Sequence, residues 1–411
     1  MPVINQPFQG QLGEVIKQTL TEQYDEFTIF SAFAKNSGVL RLKPSLVDFH
    51  TRGGIVNAFI GIDLDGTSYE ALLNLFSLCD NLYVIHSENP HSTYHSKIYM
   101  LRNTNSAWCA IGSNNLTGGG LWTNFESCSI QEFDLNNPSE EINSIDAIIS
   151  QYSDPAYPCS TRINSIEDID RLLEANYITK EVTQRMHKVK REKQSRARQT
   201  RLELFGSERV SIPTIVSIDQ PHTNNTSAVQ TPHTVDYVFN AQSPSPAFTN
   251  EHFWFEMRAT TGGSSNILDL SMIGRIASGS VIGTPYEHID SSKMYGGIKF
   301  FEIDPEDVSR TQDIIINYLG KDYYPATIEF TPRNGSWRIH LSGTPNDGSM
   351  KLSQFGNRGD FRNKILIFEK INPTYYALSV LEEAELPCLK EISRVWAYNG
   401  RTRTSRVYGM L

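Results

Sequence analysis

Residues 95–126 read HSKIYMLRNTNSAWCAIGSNNLTGGGLWTNFE. Two short apolar runs lie inside this stretch, 95–101 (HSKIYML) and 107–112 (AWCAIG), and a third strand candidate, 125–130 (FESCSI), starts at its end. Alternate residues of a strand face the same side, so His95 and Lys97 are expected to project together from one surface. The second run ends in a turn of small residues, Gly112-Ser113-Asn114-Asn115, beginning fifteen residues after Lys97. On a neighbouring strand, that turn would set a hydroxyl, a carboxamide and backbone amides beside an imidazole and an ammonium. Such a set suits a phosphodiester. Lys97 would neutralise the non-bridging oxygens, Ser113 and Asn115 would donate hydrogen bonds to them, and His95 would attack phosphorus. His-x-Lys alone is a cheap pattern, and its weight comes from the Gly-Ser-x-Asn that follows at this spacing. Glu126, on the next strand, is placed to hold His95 in one tautomer through its second ring nitrogen. The run Gly118-Gly119-Gly120 leaves room for close approach of a backbone. Ser113 can also be read simply as a turn residue, Asn103, Asn105 and Asn114 as turn formers, and His86 and His91 as loop histidines ahead of the motif strand.

Upstream, 27–34 (FTIFSAFA), 55–60 (IVNAFI) and 82–85 (LYVI) are apolar runs rich in β-branched and aromatic residues. Between them, 38–49 and 67–79 carry helical apolar spacing, with Tyr69, Leu72, Leu73, Phe76 and Leu78 on one face of the second. Strands alternating with helices give an α/β domain with a mostly parallel sheet, closed by a helix near 138–152.

Downstream, 165–205 reads as one long helix whose 180–201 segment carries nine Lys/Arg against two Glu. It is either a solvated linker helix or a phosphate-tracking face. Residues 207–250 lose periodicity and fill with Ser, Thr, Asn and Pro, the composition of a linker. The remainder alternates short apolar runs (253–257, 298–303, 326–330, 337–341, 364–369) with turn-rich stretches, and one helix is expected near 305–319. This is a β-rich domain, expected to be a small barrel.

Composition sets the limits. The chain has 411 residues, 39% apolar and 20% charged, which exceeds one ordinary core and rules out wholesale disorder. Five scattered cysteines without a Cys-x-x-Cys pair fit neither a disulfide framework nor a cysteine zinc site, and they point to a reducing cytoplasm. No apolar stretch approaches the length of a membrane span, and the first twenty residues carry no secretion-signal pattern, so a cytoplasmic, non-membrane protein is expected. The net charge of −9 leaves nucleic acid open as a partner, because the placement of lysines and arginines decides phosphate binding.

The residues His95-x-Lys97, Gly112-Ser113-x-Asn115 and Asn124-Phe125-Glu126 resemble the nuclease branch of the phospholipase D superfamily, closest to restriction endonucleases of the BfiI and NgoFVII type. The superfamily's Asp after His-x-Lys is Arg102 here; in this branch a Glu eleven residues after the Asn stands in, and Glu126 follows Asn115 by eleven. The resemblance implies an α/β phospholipase D-like catalytic and dimerisation domain over 1–165. A basic helix and low-complexity linker would span 166–245, and a C-terminal B3-like pseudobarrel for DNA recognition 246–411. Because no second His-x-Lys occurs in the chain, it also implies a homodimer that joins two His95 side chains across one site. His95 would form a phosphohistidine, helped by Lys97, Asn115, Glu126 and Ser113. No metal or other cofactor is implied for cleavage, while ATP would enter only through a separate helicase-like ATPase subunit. Double-stranded DNA is the implied substrate.

Candidate DNA contacts are Lys351, Arg358 and Arg362 in the polar arm KLSQFGNRGDFRNK, and Arg401, Arg403 and Arg406 in the tail NGRTRTSRVYGML. That arm suits a groove, or is a solvated hairpin loop. Two other functions fit parts of the pattern: a phospholipase D-type lipid hydrolase or transferase, and a dimeric DNA-binding protein without catalysis.

Overall fold

The computed structural model describes residues 3–198, 251–257, 265–270, 272–304, 306–333, 335–345, 347–399 and 405–411. They fall into two compact units, one within Met1–Glu181 and one formed by described residues of Val182–Gly206 and Thr249–Leu411.

The first unit runs β1 (Val3–Gln6), α1 (Leu12–Thr19), β2 (Glu26–Ser31), α2 (Asn36–Thr51), β3 (Ile55–Gly61), α3 (Tyr69–Leu78), β4 (Asn81–Ile85), β5 (Lys97–Arg102), β6 (Ser106–Gly112), β7 (Glu126–Asp134), α4 (Glu140–Ser153), β8 (Ser160–Ile163) and α5 (Ile166–Glu174). Its eight strands form one sheet in the order β1-β7-β6-β5-β2-β3-β4-β8. β2, β3 and β4 are parallel, joined through α2 and α3, and the other five pairings are antiparallel. The mostly parallel sheet expected from the sequence is therefore not found: β5 and β6 follow one another through a short turn instead of a helix. Alternation sorts the side chains between two faces. Phe27 and Ile29 of β2 pack into a core that includes Leu12 and Ile16 of α1, Leu42 of α2 and Leu72 of α3. Phe30 and Phe59 point the other way, into a core with Ile142 and Ile145 of α4. Burial on both faces explains why β2 and β3 read as continuous apolar runs.

The expected single helix over 165–205 is two. α5 is followed by Asn176 in the left-handed region, at φ 61°, and α6 (Glu181–Arg198) then starts anew. Asparagine tolerates that conformation, and nothing in the apolar periodicity marks it. Val182 and Met186 of α6 are buried with Trp254, Ile365, Ile367 and Leu389 of the second unit. Lys188, Lys190 and Arg191 are exposed, so this part of the basic run lines the solvent side of an amphipathic helix.

The second unit continues with β9 (His252–Met257), β10 (Ile267–Leu270), β11 (Ile273–Gly279), β12 (Lys293–Tyr295), α7 (Gly297–Phe300), β13 (Gln312–Tyr318), β14 (Lys321–Thr331), β15 (Ser336–His340), α8 (Leu352–Arg358), β16 (Lys364–Asn372), β17 (Tyr375–Glu382), α9 (Leu386–Ile392), β18 (Val395–Tyr398) and β19 (Val407–Met410). Eleven strands pair in the order β10-β15-β14-β13-β17-β16-β9-β19-β18-β11-β12. β10 and β11 follow each other in the chain yet lie far apart in that order. Near the β18 end, Asn399 Nδ2 donates to the Asp269 carbonyl of β10 at 3.5 Å, so the sheet curls back on itself. Phe253, Phe255, Trp337, Ile339, Phe368 and Tyr376 fill the inside.

Two expectations fail here. The run 298–303 is not a strand: Gly297–Phe300 is helical, and Ile298, Phe300 and Phe301 are all fully buried within the curl. A short apolar run without alternation does not distinguish the two. The helix expected near 305–319 is replaced by turns and then β13, whose consecutive Ile314, Ile315 and Ile316 favour an extended chain. The polar arm at 351–364 is helical over Leu352–Arg358 and ends at Gly359, with φ 94°. Among the described residues, no helix is long and apolar enough to cross a membrane.

Candidate active site

The motif residues meet at one end of the first sheet. Lys97 opens β5 opposite Ser31, the last residue of β2. Gly112 closes β6 opposite Cys128, and Glu126 opens β7 opposite Gln6. The turn between β6 and β7 is tied to the segment after β2: the Leu116 amide donates to Ser31 Oγ (2.8 Å) and to the Phe33 carbonyl (3.1 Å), and the Lys35 amide donates to the Leu116 carbonyl (3.0 Å). Two glycines are required by close approach. A Cβ on Gly112 would lie 2.3 Å from the Ser127 carbonyl oxygen, and one on Gly120 would lie 2.3 Å from the carbonyl oxygen of Asn115. Gly120 thus accommodates the chain's own turn.

Two polar groupings result. In the first, Lys97 Nζ lies 2.5 Å from His95 Nδ1 and donates to the His95 carbonyl at 2.8 Å. Lys97 is 5% exposed, and burial pushes its ammonium below the ordinary lysine range, opposed by the charge of Glu126. The ring of Phe33 meets His95 edge-on at 5.8 Å, and His95 itself is exposed. In the second grouping, Ser113 Oγ donates to Glu126 Oε2, Asn124 Nδ2 donates to Glu126 Oε1 at 3.2 Å, and Ser113 Oγ accepts the Ser127 amide at 3.1 Å. The Glu126 carboxylate therefore engages Ser113 and Asn124, while Lys97 occupies the His95 nitrogen that the sequence assigns to Glu126. Asn115 Oδ1 is buried with no hydrogen-bond partner.

Neighbouring residues have structural tasks. Asn114 is buried and donates to the Gly120 carbonyl at 2.8 Å, holding the glycine turn. Arg102 lies at the far end of β5, paired with Glu26 (2.9 Å) and Asp146 (2.7 Å). Arg102 thus belongs to an ion-pair network at the opposite end of β5 from Lys97. Sequence reasoning missed Phe33 and Asp63. Asp63 Oδ2 accepts the amide of Tyr94, next to His95, at 2.9 Å. It comes from the end of β3, and no local pattern marks it. Among the described residues, no cluster of three or more His, Cys, Asp or Glu is arranged to hold a metal ion.

The candidate DNA contacts are scattered in character. Lys351 caps α8 and is exposed, as are Arg358, 3.8 Å from Asp360, and Arg362. Arg406 lies 3.9 Å from Asp269, which also takes Arg338 at 2.8 Å. Arg401 and Arg403 lie outside the described residues.

No family model and no curated protein matches this chain. Several solved structures are similar to part of it. Nuc, a phospholipase D family member from Salmonella typhimurium, is 16% identical, covers 40% of this chain and 97% of its own, and gives a TM-score of 0.29. NucT from Helicobacter pylori is 12% identical over 36% of this chain and 92% of its own, with a TM-score of 0.26. The yeast tyrosyl-DNA phosphodiesterase is 15% identical over 43% of this chain and 41% of its own, again with a TM-score of 0.26.

Proposed function

We propose that this chain is a metal-independent endodeoxyribonuclease of phospholipase D type, acting as a homodimer, with site selection by its C-terminal unit. The observation that carries this reading is the contact of Lys97 Nζ with His95 Nδ1 at the same sheet end as Ser113, Asn115 and Glu126. For Nε2 to attack phosphorus, the ring proton must sit on Nδ1. A phosphate oxygen that draws Lys97 away frees Nδ1 to carry that proton. Nε2 then forms the N–P bond as the P–O bond to the leaving strand breaks. A second imidazole protonates the leaving oxygen, then takes a proton from the water that hydrolyses the N–P bond. Lys97 neutralises charge on the pentacoordinate centre, and Asn115 and Ser113 donate hydrogen bonds to its oxygens.

The chain offers one such histidine motif, so the second imidazole would come from a second copy. A surface suited to it borders the site. Phe8 and Phe125, 53% and 68% exposed, stack at 5.4 Å, and Phe125 precedes Glu126. Val3 and Ile111, also exposed, sit in one row across β1, β7 and β6 through Ser129. Exposed apolar patches of this kind mark association surfaces.

Recognition by a B3-like domain would use the exposed Lys351, Arg358 and Arg362 around α8. A helicase-like ATPase subunit remains part of the proposal for a restriction system, since the chain carries no P-loop of its own. The direct test incubates the full-length protein with plasmid and scrambled oligonucleotides, with and without EDTA. Discrete, EDTA-resistant fragments are expected; a strict divalent-ion requirement for strand cutting contradicts a histidine mechanism.

A further inference from the structure

A cavity of about 750 Å³ opens at the carboxyl ends of β3 and β4, the same sheet end that carries Lys97. Crevices beyond the carboxyl ends of parallel strands are where open α/β sheets bind ligands. Its walls are apolar, formed by Ile62, Val84, Ile163 and Leu172. Its polar edge is a connected chain. The Tyr177 hydroxyl donates to Glu88 Oε1, and Glu88 Oε2 lies 3.7 Å from His86 Nε2. His86 Nδ1 meets Asp63 Oδ1 at 2.5 Å, and the rings of His86 and Tyr177 sit edge to face at 5.1 Å. Asp63 is 8% exposed, and its other oxygen holds the amide ahead of His95.

We propose that this cavity is a subsite for a nucleobase bearing an exocyclic amino group, adenine, cytosine or guanine, stacked against Tyr177 and held at its amino edge by Glu88. The volume falls within the range of pockets that enclose small ligands. Aromatic side chains over apolar walls give a base its stacking surface. The hydrogen-bonding edge is rich in acceptors. A carboxylate has about four acceptor sites, and Tyr177 uses one at Glu88, leaving others for an amino donor. Carboxylates pair with the amino group of cytosine in just this sense. Thymine offers no amino donor there. A phosphate is disfavoured by Glu88, because the guanidinium in the lining, Arg171, is already paired with Asp168. Asp63 joins the two places, with one oxygen on the cavity's histidine and the other on the backbone that sets His95. The assignment to a DNA base rests on the nuclease reading; the preference for amino-bearing bases rests on the cavity alone.

The test is calorimetric titration of the full-length protein with deoxycytidine, deoxyadenosine, thymidine and inorganic phosphate. The amino-bearing nucleosides are expected to bind at least about tenfold more tightly than thymidine, a difference of about 1.4 kcal/mol, with no competition from phosphate. Glu88→Met, which keeps the length and removes the carboxylate acceptors, should erase that preference, and Tyr177→Ala should weaken every nucleoside. If Tyr177→Ala lowers thermal stability, Glu88→Met, on a side chain 78% exposed, decides the matter. Absence of saturable binding, equal affinity for thymidine, or an unchanged preference in Glu88→Met overturns the proposal. His95→Ala should bind nucleosides normally while failing to cut DNA. Failure of the unaltered protein to cut DNA would instead overturn the nuclease reading and leave the cavity result standing.

Discussion

Lys97 and His95 share a proton-bearing contact, and the chemistry at this sheet end depends on how it is divided. The ammonium is buried yet reaches the exposed imidazole, so an incoming phosphate gains a charge that water cannot solvate well. Replacing His95 with Ala is expected to lower the cleavage rate by about a thousandfold or more with DNA affinity retained, as measured by single-turnover cutting alongside gel shift. Lys97→Met keeps the side chain's length and removes its charge. Its expected signature is a loss of about a hundredfold in kcat with a smaller change in KM; an equal rise in KM alone would make Lys97 a binding residue. At this scale the spacing was legible in part. Gly-Ser-x-Asn marks the turn after β6, but the strand expected from residue 95 begins only at Lys97. His95 therefore meets Lys97 from the segment ahead of β5, and strand alternation does not place it. The particular ring nitrogen that meets Lys97 was not legible, since spacing leaves side-chain torsions free. Asp63 was hidden for a related reason: it reaches Tyr94 only after β3 and the loop before β5 have been brought together.

The elements divide by how their side chains alternate. β2 and β3 declare themselves by continuous β-branched and aromatic runs flanked by helical spacing. α7 does not, because all its large side chains are buried inside the curled sheet. The split between α5 and α6 turns on one left-handed Asn176, which weakens no apolar period. The junction between them carries a buried charge of its own. The Glu181 amide donates to Glu70 Oε2 at 2.8 Å, while Glu181 Oε2 accepts from Ser68 Oγ at 2.9 Å and from the Asn36 amide at 3.0 Å. Burial first, then the Glu181 charge, pushes the Glu70 carboxyl up from 4.5 to about 7. Between those values the folded state keeps a proton that the unfolded state has lost. This contribution to stability is complete below 4.5 and disappears as pH rises through about 7. Glu70→Gln, neutral at every pH, should therefore flatten the decline in thermal midpoint across that window. An unchanged slope in the variant would place the titration elsewhere.

For the molecule as a whole, the proposed shared site turns on association. With a single histidine motif per chain, that proposal needs a second copy, and the exposed pair of stacked phenylalanines is the surface it would use. Phe125→Asp puts a charge on that patch without touching the core, so light scattering should show a shift from dimer to monomer, and cutting should fall with it. A monomeric variant with full activity would mean that one imidazole suffices. The division into an α/β part and a β-rich part was legible from composition and run length alone, because helix-spaced and turn-punctuated stretches occupy different halves of the chain. The small barrel expected there is met as a curled sheet, but its strand order was not legible, since it depends on pairing between distant strands such as β13 with β17 and β9 with β19. The central claim, that His95 displaces the strand before water does, is best tested by the stereochemical course at phosphorus with a chiral phosphorothioate substrate. Two successive in-line displacements leave the configuration retained, which is the expected result; inversion would show direct attack by water and contradict a phosphohistidine.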